Sequence, residues 1–531
     1  MKRRLLIAVF ALCCMTSAAE QHLQPSAPDT IYVSDPTTWS AEELRPYIGK
    51  TVVFACPIVV CSNGSSDLAV STRVLYEPNN QAYPYTKENQ TVSALNNTGA
   101  ISLSGISDYH RCGEKIYHLH ARVISTRALN WVSGEWRGNT RNDLEEDIPD
   151  LGDYRLLVCG FNVENYFVAH LGRSYLGADS YAAHQKQRIK VHKALKQINA
   201  DLYGLAELEK GNDAIREIAD DLNAALKDRD YRFISDAVGG TTQKTEFLYD
   251  ANILDYIGTV QQDDMGVPNR IKMLCFREKA TGERFIFSIN HFKAKTGNGT
   301  GTEADMGQGV FNASRVKEAQ AVLDRYRSYS SNRVIKEKDI LIMGDLNALA
   351  KEDPIRRFTE NGMIDLHRAF HADSSYSYRQ RNGLLAGYLD HAISNATLYP
   401  QITGMAAYHI NSDENDRYNY KQSNDNSMFR CSDHDPILVG LKLDSTLTYD
   451  PSPTVNSAEI INGQDSVLTI SQALKEGERS FYAIYNTNGL LIDRQEITSN
   501  LQQVELPVHA GLYVLYIYYD GQVYQRKIIV R

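Results

Sequence analysis

The pattern of apolar and polar positions changes twice along the chain and divides it into three parts. In the first part, short apolar runs at 51–61 and 116–124 are separated by polar stretches rich in turn residues. Short strands joined by long loops are typical of a small β-barrel or β-sandwich. The pattern therefore predicts an N-terminal β domain over residues 30–130.

Residues 154–444 show a different pattern, in which strand-like runs alternate with segments of helical periodicity. The predicted strands are 156–160, 201–206, 285–289, 340–343 and 437–441, and the predicted helices are 185–198, 214–226 and 314–326. Such a mixture of helices and strands over a long segment predicts a layered α/β domain with a substantial core.

A third pattern follows a proline-containing linker at 450–453. Five short β-like runs lie between residues 466 and 530, and turn residues such as the Asn-Gly pair at 488–489 separate some of them. The pattern predicts an all-β sandwich over residues 455–531. This part carries no evident catalytic cluster.

The first nineteen residues have the features of a signal peptide. Basic residues at 2–4 precede an apolar stretch at 5–14, and small residues follow at 17–19. The apolar stretch is too short to span a bilayer comfortably. We expect residues 1–19 to direct export and the mature chain to contain no membrane span.

Composition narrows the classes of function. The chain has 531 residues, 43% of them hydrophobic, and a formal net charge of -9, so two to four globular domains are expected. The acidic balance argues against a dedicated DNA-binding protein, but it permits an enzyme that touches nucleic acid transiently. Export would allow a disulfide or two among the six cysteines beyond residue 19, with the pairing left open.

Candidate chemistry lies next to three strand-like runs. Residues 161–165 (Phe-Asn-Val-Glu-Asn) and 344–347 (Gly-Asp-Leu-Asn) follow such runs, and 432–436 (Ser-Asp-His-Asp-Pro) precede one. Each segment carries carboxylate, carboxamide or imidazole groups. Metal-assisted phosphodiester hydrolysis needs oxygen ligands for a hard cation and an imidazole for proton transfer. The three segments together indicate that chemistry.

The ordered polar residues resemble the endonuclease/exonuclease/phosphatase superfamily, the fold of pancreatic deoxyribonuclease, and most of all its extracellular bacterial nucleases. The similarity covers about residues 156–443. Six stretches carry it: 161–165, 290–293, 344–348, 351–355, 389–392 and 432–436. The resemblance implies a four-layer α/β sandwich of the DNase I-like type for residues 154–444.

The resemblance also implies a role for each matching position. Three residues would bind a divalent metal: Glu207, Asp433 and Asn162. Five would act in catalysis: His434 as the base that activates water or as a group that positions the phosphate, Asp390 as the holder of its imidazole, Asp345 and Asn347 as groups that orient phosphate and nucleophile, and His291 as a donor to the phosphate. Arg270, Lys293 and Arg315 would contact substrate phosphates. Mg²⁺ suits these ligands, with Mn²⁺ or Ca²⁺ as alternatives.

Some positions near the motifs depart from the family or have no assigned partner. Ala206 stands where the family usually has Gln, and Ala294 replaces a common Ser. Glu246 is a candidate partner for His291 by proximity in the chain. Glu209 would either support the site residues from behind or start a helix, and the second interpretation is favoured. An acidic loop at 413–416 would either bind calcium or be solvated.

The flanking parts also resemble known domains. Residues 30–130 resemble the OB-like domain often found before these nucleases, and the last 75 or so residues resemble a type IX secretion sorting domain. OB folds can bind single strands by stacking bases on aromatic side chains, for which this segment offers Tyr76, Tyr83, Tyr85 and Tyr109. A purely structural spacer is the alternative. The sorting domain would engage the type IX secretion machinery at the outer membrane.

These observations predict a secreted or surface-located, monomeric endonuclease that hydrolyses DNA, with RNA as a second substrate. Two alternatives stay open. A sphingomyelinase-like phospholipid phosphodiesterase would use the same catalytic set and would show an exposed apolar or aromatic docking loop, of which the sequence gives no convincing example. A non-catalytic surface protein on the same fold would be expected to have lost Glu207, His291 or His434, and all three are present.

Overall fold

A computed structural model of the chain shows three parts whose structure follows the three sequence patterns. The predicted signal peptide, Tyr83, Tyr85 and the linker at 450–453 lie outside the residues it describes. Those residues are 30–31, 41–63, 67–77, 99–141, 147–235, 240–262, 270–372, 374–379, 385–444, 467–471, 480–486, 491–497, 501–505, 511–519 and 522–530.

The N-terminal part is a closed β-barrel. Its strands are β1 (Thr30–Ile31), β2 (Thr51–Phe54), β3 (Ile58–Ser62), β4 (Leu68–Ser71), β5 (Ile101–Ser104), β6 (Lys115–Ser125) and β7 (Ala128–Arg137). They follow the order β1-β2-β6-β3-β4-β5-β7, and β6 also pairs with β7, so five strands close into a ring. The β5–β7 pair is parallel. Alternate residues such as Val52 and Phe54 fill the interior.

The middle part is mixed α/β, as predicted. Its strands are β8 (Leu156–Tyr166), β9 (Leu202–Glu209), β10 (Tyr231–Phe233), β11 (Gln243–Asp250), β12 (Leu254–Gln262), β13 (Ile271–Glu278), β14 (Arg284–His291), β15 (Ile340–Asp345), β16 (Ile364–Asp365), β17 (Asp390–Ser394), β18 (Ile402–Ala407) and β19 (Ile437–Leu441). Its helices are α1 (Tyr181–Ile198), α2 (Asp213–Ala225), α3 (Asn312–Ser330), α4 (Asp353–Thr359) and α5 (Leu366–His371).

These strands form two six-stranded sheets that pack face to face. The first has the order β10-β11-β9-β8-β19-β18, and the second β12-β13-β14-β15-β17-β16. Strand β8 shows how the layers are built, since Val158 joins the core between the sheets while Phe161 packs towards α1 and α2. Helix α3 covers the outer face of the second sheet through residues such as Val322. The arrangement is therefore four layers, α/β/β/α, with strands buried on both faces.

The barrel is joined to the middle part by hydrogen bonds and buried ion pairs. The backbone amide of Glu77 donates to Ala386 O at 2.8 Å, and Asn63 Nδ2 donates to Asp413 O at 3.0 Å. The buried guanidinium of Arg111 lies 2.6 Å from a Glu414 carboxylate oxygen. These contacts therefore fix the barrel against two segments of the middle part, one at Ala386 and the other at 413–414.

The acidic loop at 413–416 is neither solvated nor arranged for calcium. Asp413 is 1% exposed and pairs with Arg379 at 3.0 Å. Glu414 faces Arg111 and Arg141, and Asp416 pairs with Arg430. Arginine side chains therefore supply the counter-charge in this loop. The expectation of calcium or solvent there is wrong because the barrel covers the loop.

The C-terminal part consists of β-strands in its described residues. Its strands are β20 (Val467–Ser471), β21 (Phe481–Asn486), β22 (Leu491–Glu496), β23 (Leu501–Glu505), β24 (Gly511–Tyr519) and β25 (Gln522–Val530). They form a β20–β23 pair and a sheet of order β22-β21-β24-β25. Strand β22 was not predicted, because its sequence is mostly polar and lacks a β-branched pattern.

Two further expectations can be compared with the structure. All six cysteines beyond residue 19 are free thiols, so the expected disulfide is absent from the described residues. Five of them are buried, among them Cys159 and Cys431 beside the site motifs. No helix in the described part of the chain is long and apolar enough to cross a bilayer.

We expect Arg379→Met to destabilise the fold strongly. The substitution leaves the buried Asp413 carboxylate without its ion-pair partner, which costs about 3–5 kcal/mol in comparable cases. Urea unfolding measures the loss. The matched control is Arg216→Met, which removes an exposed pair with Asp213 and should cost at most about 1 kcal/mol. Equal losses in the two variants would contradict a supporting role for the covered loop.

Candidate active site

Neighbouring strands bring the polar motif residues to one edge of the sandwich. In the register of the second sheet, His291 on β14 lies beside Asp345 on β15, and Asp345 lies beside Asp390 on β17. In the first sheet, Asn162 on β8 pairs with Ala206, the residue before Glu207 on β9. A 3.1 Å hydrogen bond from Asn162 Nδ2 to Asp345 Oδ2 joins the sheets at this edge.

Gly344 allows β15 to approach β14 closely just before Asp345. Its φ is +124°, and a Cβ atom there would lie 2.0 Å from Asn290 O. No other residue fits this conformation and spacing without a shift of the strand. The glycine in the motif therefore fixes the position of Asp345 relative to His291.

Glu207, His291 and Asp345 form a cluster with metal-ligand spacing. Nε2 of His291 lies 3.5 Å from Glu207 Oε1 and 3.6 Å from Asp345 Oδ2. One potential ligand atom from each residue lies within 4.8 Å of the others. Asn162 and Asn347 each donate an amide hydrogen to Asp345 Oδ2, at 3.1 and 3.2 Å. Carboxylate and amide oxygens with this spacing suit a hard divalent cation.

The cluster concentrates negative charge in a buried space. Burial, and then the charge of Asp433, raise the pKa of Glu207 to about 7. Burial also raises the pKa of Asp345 to about 6 against the opposing effect of His434. Crowded carboxylates that resist ionisation are relieved when a cation binds among them. The residues present therefore fit a divalent metal on electrostatic as well as geometric grounds.

His434 and Asp390 form a hydrogen-bonded dyad next to the cluster. Nδ1 of His434 lies 2.7 Å from Asp390 Oδ2, which also accepts a 2.7 Å hydrogen bond from Ser377 Oγ. Burial alone would lower the pKa of His434, but Asp390, Asp433 and Asp345 raise it well above its usual value. Nε2 points towards the carboxylates, 3.9 Å from Asp345 and 4.0 Å from Asp433.

His291 has the opposite electrostatic environment. Its ring is buried, and burial together with Arg270 and His434 lowers its pKa well below the usual value. Its Nδ1 atom has no hydrogen-bond partner in the described residues. A neutral imidazole in this position can donate one hydrogen bond into the cluster. It carries no positive charge that would repel a cation bound there.

Several site residues adopt backbone conformations that L-residues rarely use. Of the non-glycine residues with positive φ, five lie in the motif segments or next to them: Glu164 (52°), Asn165 (52°), Glu207 (63°), Asn347 (47°) and Arg430 (60°). Left-handed conformations cost of order 1–3 kcal/mol each unless the surroundings fix them, and they cluster at functional sites. Glu207 Oε2 accepts a 2.9 Å hydrogen bond from the Asn165 amide, so two of these positions stabilise each other.

The three residues expected to contact phosphates differ in their placement. Lys293 places its ammonium 4.6 Å from the Phe311 ring centroid and is partly exposed. Arg270 donates to the carbonyls of His291 and Phe292, at 2.9 and 2.8 Å, and so holds the end of β14.

Arg315 does not have a phosphate-binding placement. Its guanidinium is 0% exposed and donates to the carbonyl oxygens of Gln308, Val310 and Lys293. It therefore holds the loop that follows β14. The family motif identified the position, but burial gives the side chain a supporting task.

The structure corrects two assignments made by proximity in the chain. Glu246 is not the partner of His291, because its carboxylate lies 2.9 Å from Lys244 and 2.8 Å from Lys272. Glu209 does not start a helix. It ends β9 and accepts hydrogen bonds from the backbone amides of residues 168, 169 and 170, so it holds the loop after β8.

The structure adds site residues that sequence reasoning missed. Glu164 is half-buried, its Oε2 atom is buried without a hydrogen-bond partner among the described residues, and burial and Asp433 raise its pKa to about 8. The ring of Tyr378 packs 4.7 Å from that of His434. Ser432 Oγ donates to Asn162 O at 2.6 Å and thereby ties two motifs together. Glu164 and Ser432 lie inside motifs that the sequence analysis identified. Ser377 and Tyr378 lie outside those motifs, and no local sequence pattern indicates that they contact the site.

Proteins similar to this chain were found among solved structures only. No sequence-family profile matches the chain, and no curated protein matches it. Similar solved structures include an endonuclease/exonuclease/phosphatase family protein of Bacteroides thetaiotaomicron, with 17% identity, a TM-score of 0.38, and coverage of 54% of this chain and 97% of that one.

A mannosyl-6-phosphatase of the same species has 15% identity and a TM-score of 0.37, over 54% of this chain and 100% of that one. The catalytic domain of human Nocturnin has 12% identity and a TM-score of 0.37, over 54% and 94% of the respective chains. At such low values the likeness carries no inference about the reaction. An inference about the reaction therefore rests on the geometry of the site.

We expect the metal-free protein to lose stability as the pH rises through neutrality. The folded-state pKa values of Glu207 and Asp345, about 7 and about 6, exceed the unfolded values near 4. The folded state therefore holds protons that the unfolded state releases, and the free energy of unfolding falls from about pH 4 to about pH 7. Urea midpoints in chelator measure the slope.

Excess Mn²⁺ should reduce this slope, because a bound cation favours the ionised carboxylates. Glu207→Gln in chelator should reduce it as well, because one of the titrating groups is removed. A slope that neither change alters would contradict the account of crowded carboxylates.

Proposed function

We propose that this protein is a divalent-cation-dependent hydrolase of phosphodiester bonds. One observation carries the proposal: the His434–Asp390 dyad directs Nε2 towards a cluster of Glu207, His291 and Asp345 that has the spacing and charge of a metal site. A proton acceptor beside such a cluster is the pairing that phosphoester hydrolysis requires.

Three residues would hold the cation through oxygen atoms. Glu207 and Asp345 supply carboxylates, and Asn162 lies within hydrogen-bond distance of Asp345. Asp433 is 39% exposed and lies outside the tight cluster, but its charge acts on Glu207. A divalent ion bound there would neutralise charge on the phosphate and lower the pKa of a coordinated water. Mg²⁺ is the proposed ion because the donors are hard oxygens.

His434 would accept the proton of the attacking water. Asp390 holds Nδ1–H, so the lone pair of a neutral His434 lies on Nε2, on the side of the cluster. The water oxygen would form a bond to phosphorus as its proton moves to Nε2. The opposite phosphorus–oxygen bond would break, and the leaving alkoxide would take up a proton from solvent. His434 must be neutral before this step. A cation bound beside Asp345 would oppose the rise in the pKa of His434 and so favour the neutral form.

His291 and Asn347 would orient the phosphate. Neutral His291 presents Nε2 between the two carboxylates, where its hydrogen can bind a phosphate oxygen. Asn347 is fixed through a 3.2 Å hydrogen bond from Nδ2 to Phe292 O. Lys293 is the partly exposed cation next to the His291 motif and supports phosphate binding there.

The proposed natural substrate is DNA, with RNA as a second substrate, cut internally by a monomeric secreted enzyme. The closed barrel, with its parallel β5–β7 pair, supports an OB-like identity for residues 30–130. Export rests on the signal-like residues 1–19 and on the sorting-domain resemblance of the last residues. We propose that the type IX secretion machinery recognises that C-terminal part.

One observation favours a second candidate, a phospholipid phosphodiesterase. Tyr175, Leu176 and Tyr181 are 40%, 53% and 69% exposed on the segment after β8, and Met306 is 66% exposed on the segment after β14. Both segments follow strands that carry site residues. Exposed apolar and aromatic side chains on loops beside a site are the feature expected of an enzyme that docks on a lipid surface.

We expect Glu207→Gln to abolish metal-dependent hydrolysis at low Mg²⁺ and to shift the Mg²⁺ requirement to higher concentration. The substitution keeps the shape of the side chain and removes one ligand charge. Nicking of supercoiled plasmid measures activity, with linear DNA, RNA and sphingomyelin as parallel substrates and chelator as the blank. The matched control is Glu360→Gln, at the residue that directly follows α4, whose carboxylate is 53% exposed.

Wild-type release of phosphocholine with intact nucleic acids would transfer the protein to the lipid candidate. Unchanged Mg²⁺ dependence in Glu207→Gln would contradict the proposed metal ligand. Absence of any metal-dependent hydrolysis in the wild type would contradict the proposed function.

We expect Asp390→Asn to lower kcat by about 10²-fold or more and to move the acidic limb of the kcat/KM profile to lower pH. Removal of the Asp390 charge lowers the pKa of His434, so the neutral imidazole persists at lower pH, while the loss of the fixed tautomer slows proton transfer. His118→Ala, at a side chain that is 69% exposed on the barrel, is the control. A reduced rate with an unshifted limb would contradict the dyad.

A further inference from the structure

A strip of aromatic and basic side chains lies along the junction between the barrel and the α/β part. It consists of Tyr109 from the barrel and Arg417, Tyr418 and Lys421 from the loop before β19, and we call it the junction strip. Tyr109 is 45% exposed, Arg417 and Lys421 are exposed, and Tyr418 is partly exposed.

The side chains of the junction strip are arranged around aromatic faces. The rings of Tyr109 and Tyr418 meet edge to face with centroids 6.5 Å apart. The guanidinium of Arg417 lies 5.1 Å from the Tyr109 centroid, and Arg141 lies 3.7 Å from that of Tyr418. Neither Arg417 nor Lys421 forms an ion pair with another described residue, so their charges remain available to an anionic ligand.

The junction strip begins beside the active site. Tyr420 lies between Tyr418 and Lys421 in the chain, and the Lys421 ammonium is 5.3 Å from its ring centroid. Tyr420 is fully buried, and its hydroxyl has no hydrogen-bond partner in the described residues. Burial, then Glu164 and Asp433, raise the pKa of Tyr420. Arg430 pairs with Asp416, next to Arg417, and donates to Ser432 O, so the inner end of the strip is connected to the motif that carries His434.

The position of the junction strip is fixed by the contacts between the two parts. Asn415 Nδ2 donates to Asn63 O of the barrel at 2.6 Å, Arg111 of the barrel pairs with Glu414, and Arg430 pairs with Asp416. These residues directly precede Arg417 or tie its loop to the motif that carries His434. A ligand that spans the strip would therefore meet a surface that is already ordered.

We propose that the junction strip binds a single-stranded polynucleotide that continues from the scissile phosphate onto the barrel. Tyrosine faces can stack bases, and two cations without acidic partners can contact successive phosphates. The combination favours nucleic acid over a lipid surface, because each ring is paired with a cation and the strip has no aliphatic side chain. The inference rests on the proposed function and names single strands as its preferred substrate class.

The test compares substrates of different length in the full chain. Single-stranded oligonucleotides of about 4, 8 and 16 nucleotides span the usual reach of such sites, and bis(4-nitrophenyl) phosphate serves as a phosphodiester too small to reach the strip. The variants are Tyr109→Ala, Arg417→Ala and their combination. The control is Tyr117→Ala, which removes a similar pair on the barrel, where Arg137 lies 5.3 Å from the Tyr117 centroid.

We expect the double variant to raise KM for the longest strand about tenfold or more and to remove the advantage of long over short strands. KM and kcat for bis(4-nitrophenyl) phosphate should stay unchanged, as should both substrates in the control. An unchanged KM for the long strand would overturn the proposal. Equal losses on the small substrate would also overturn it, because the residues would then serve folding.

Direct binding separates this inference from the proposed function. Fluorescence anisotropy of a labelled single strand in chelator, with the wild type and the double variant, needs no hydrolysis. Weaker binding by the double variant supports the junction strip even if no phosphodiester is cleaved. Equal binding by both proteins overturns it, as does binding to sphingomyelin vesicles without binding to the oligonucleotide.

Discussion

The structure depends on negative charge that is concentrated at one largely buried edge of two packed sheets. Adjacent strands hold Asp345 and Asp390 side by side, and Glu207 approaches from the other sheet. Burial makes this arrangement unfavourable, as the raised pKa values of Glu207 and Asp345 show. His434 supplies one counter-charge. The donor geometry also accepts a divalent cation as a second counter-charge. Because the bound ion would relieve the repulsion between the carboxylates of the metal-free site, that repulsion favours binding of the ion.

Much of the fold and part of the site could be predicted from local sequence. The helices around 185–198 and 214–226 and the strands before each motif follow from periodicity, which reports burial directly. Supporting contacts from distant segments could not be predicted. Ser377 contacts Asp390 across thirteen residues with no motif around it, and Arg315 differs from its expected role because burial depends on the packed loop rather than on its own neighbours.

The barrel belongs to the architecture of the site. A chain of backbone pairings leads from Tyr76 of the barrel to Ala386, and from Gly387 through Tyr378 to His434. A second connection runs from Asn63 to Asp413, and Asn411, on the same loop, donates to the carbonyl of His434 at 2.6 Å. The segments that carry His434 and Asp390 are therefore both supported in part by the N-terminal domain. A barrel that served only as a spacer would not need the buried ion pairs that are found at this junction.

The location of a bound cation would test the proposed metal site most directly. Crystals grown with Mn²⁺ and measured at its absorption edge would show the ion as a peak in anomalous difference density. We expect a peak within about 2.0–2.3 Å of carboxylate oxygens of Glu207 and Asp345, with His434 still paired to Asp390. No peak at saturating Mn²⁺, or a peak that separates His434 from Asp390, would contradict it.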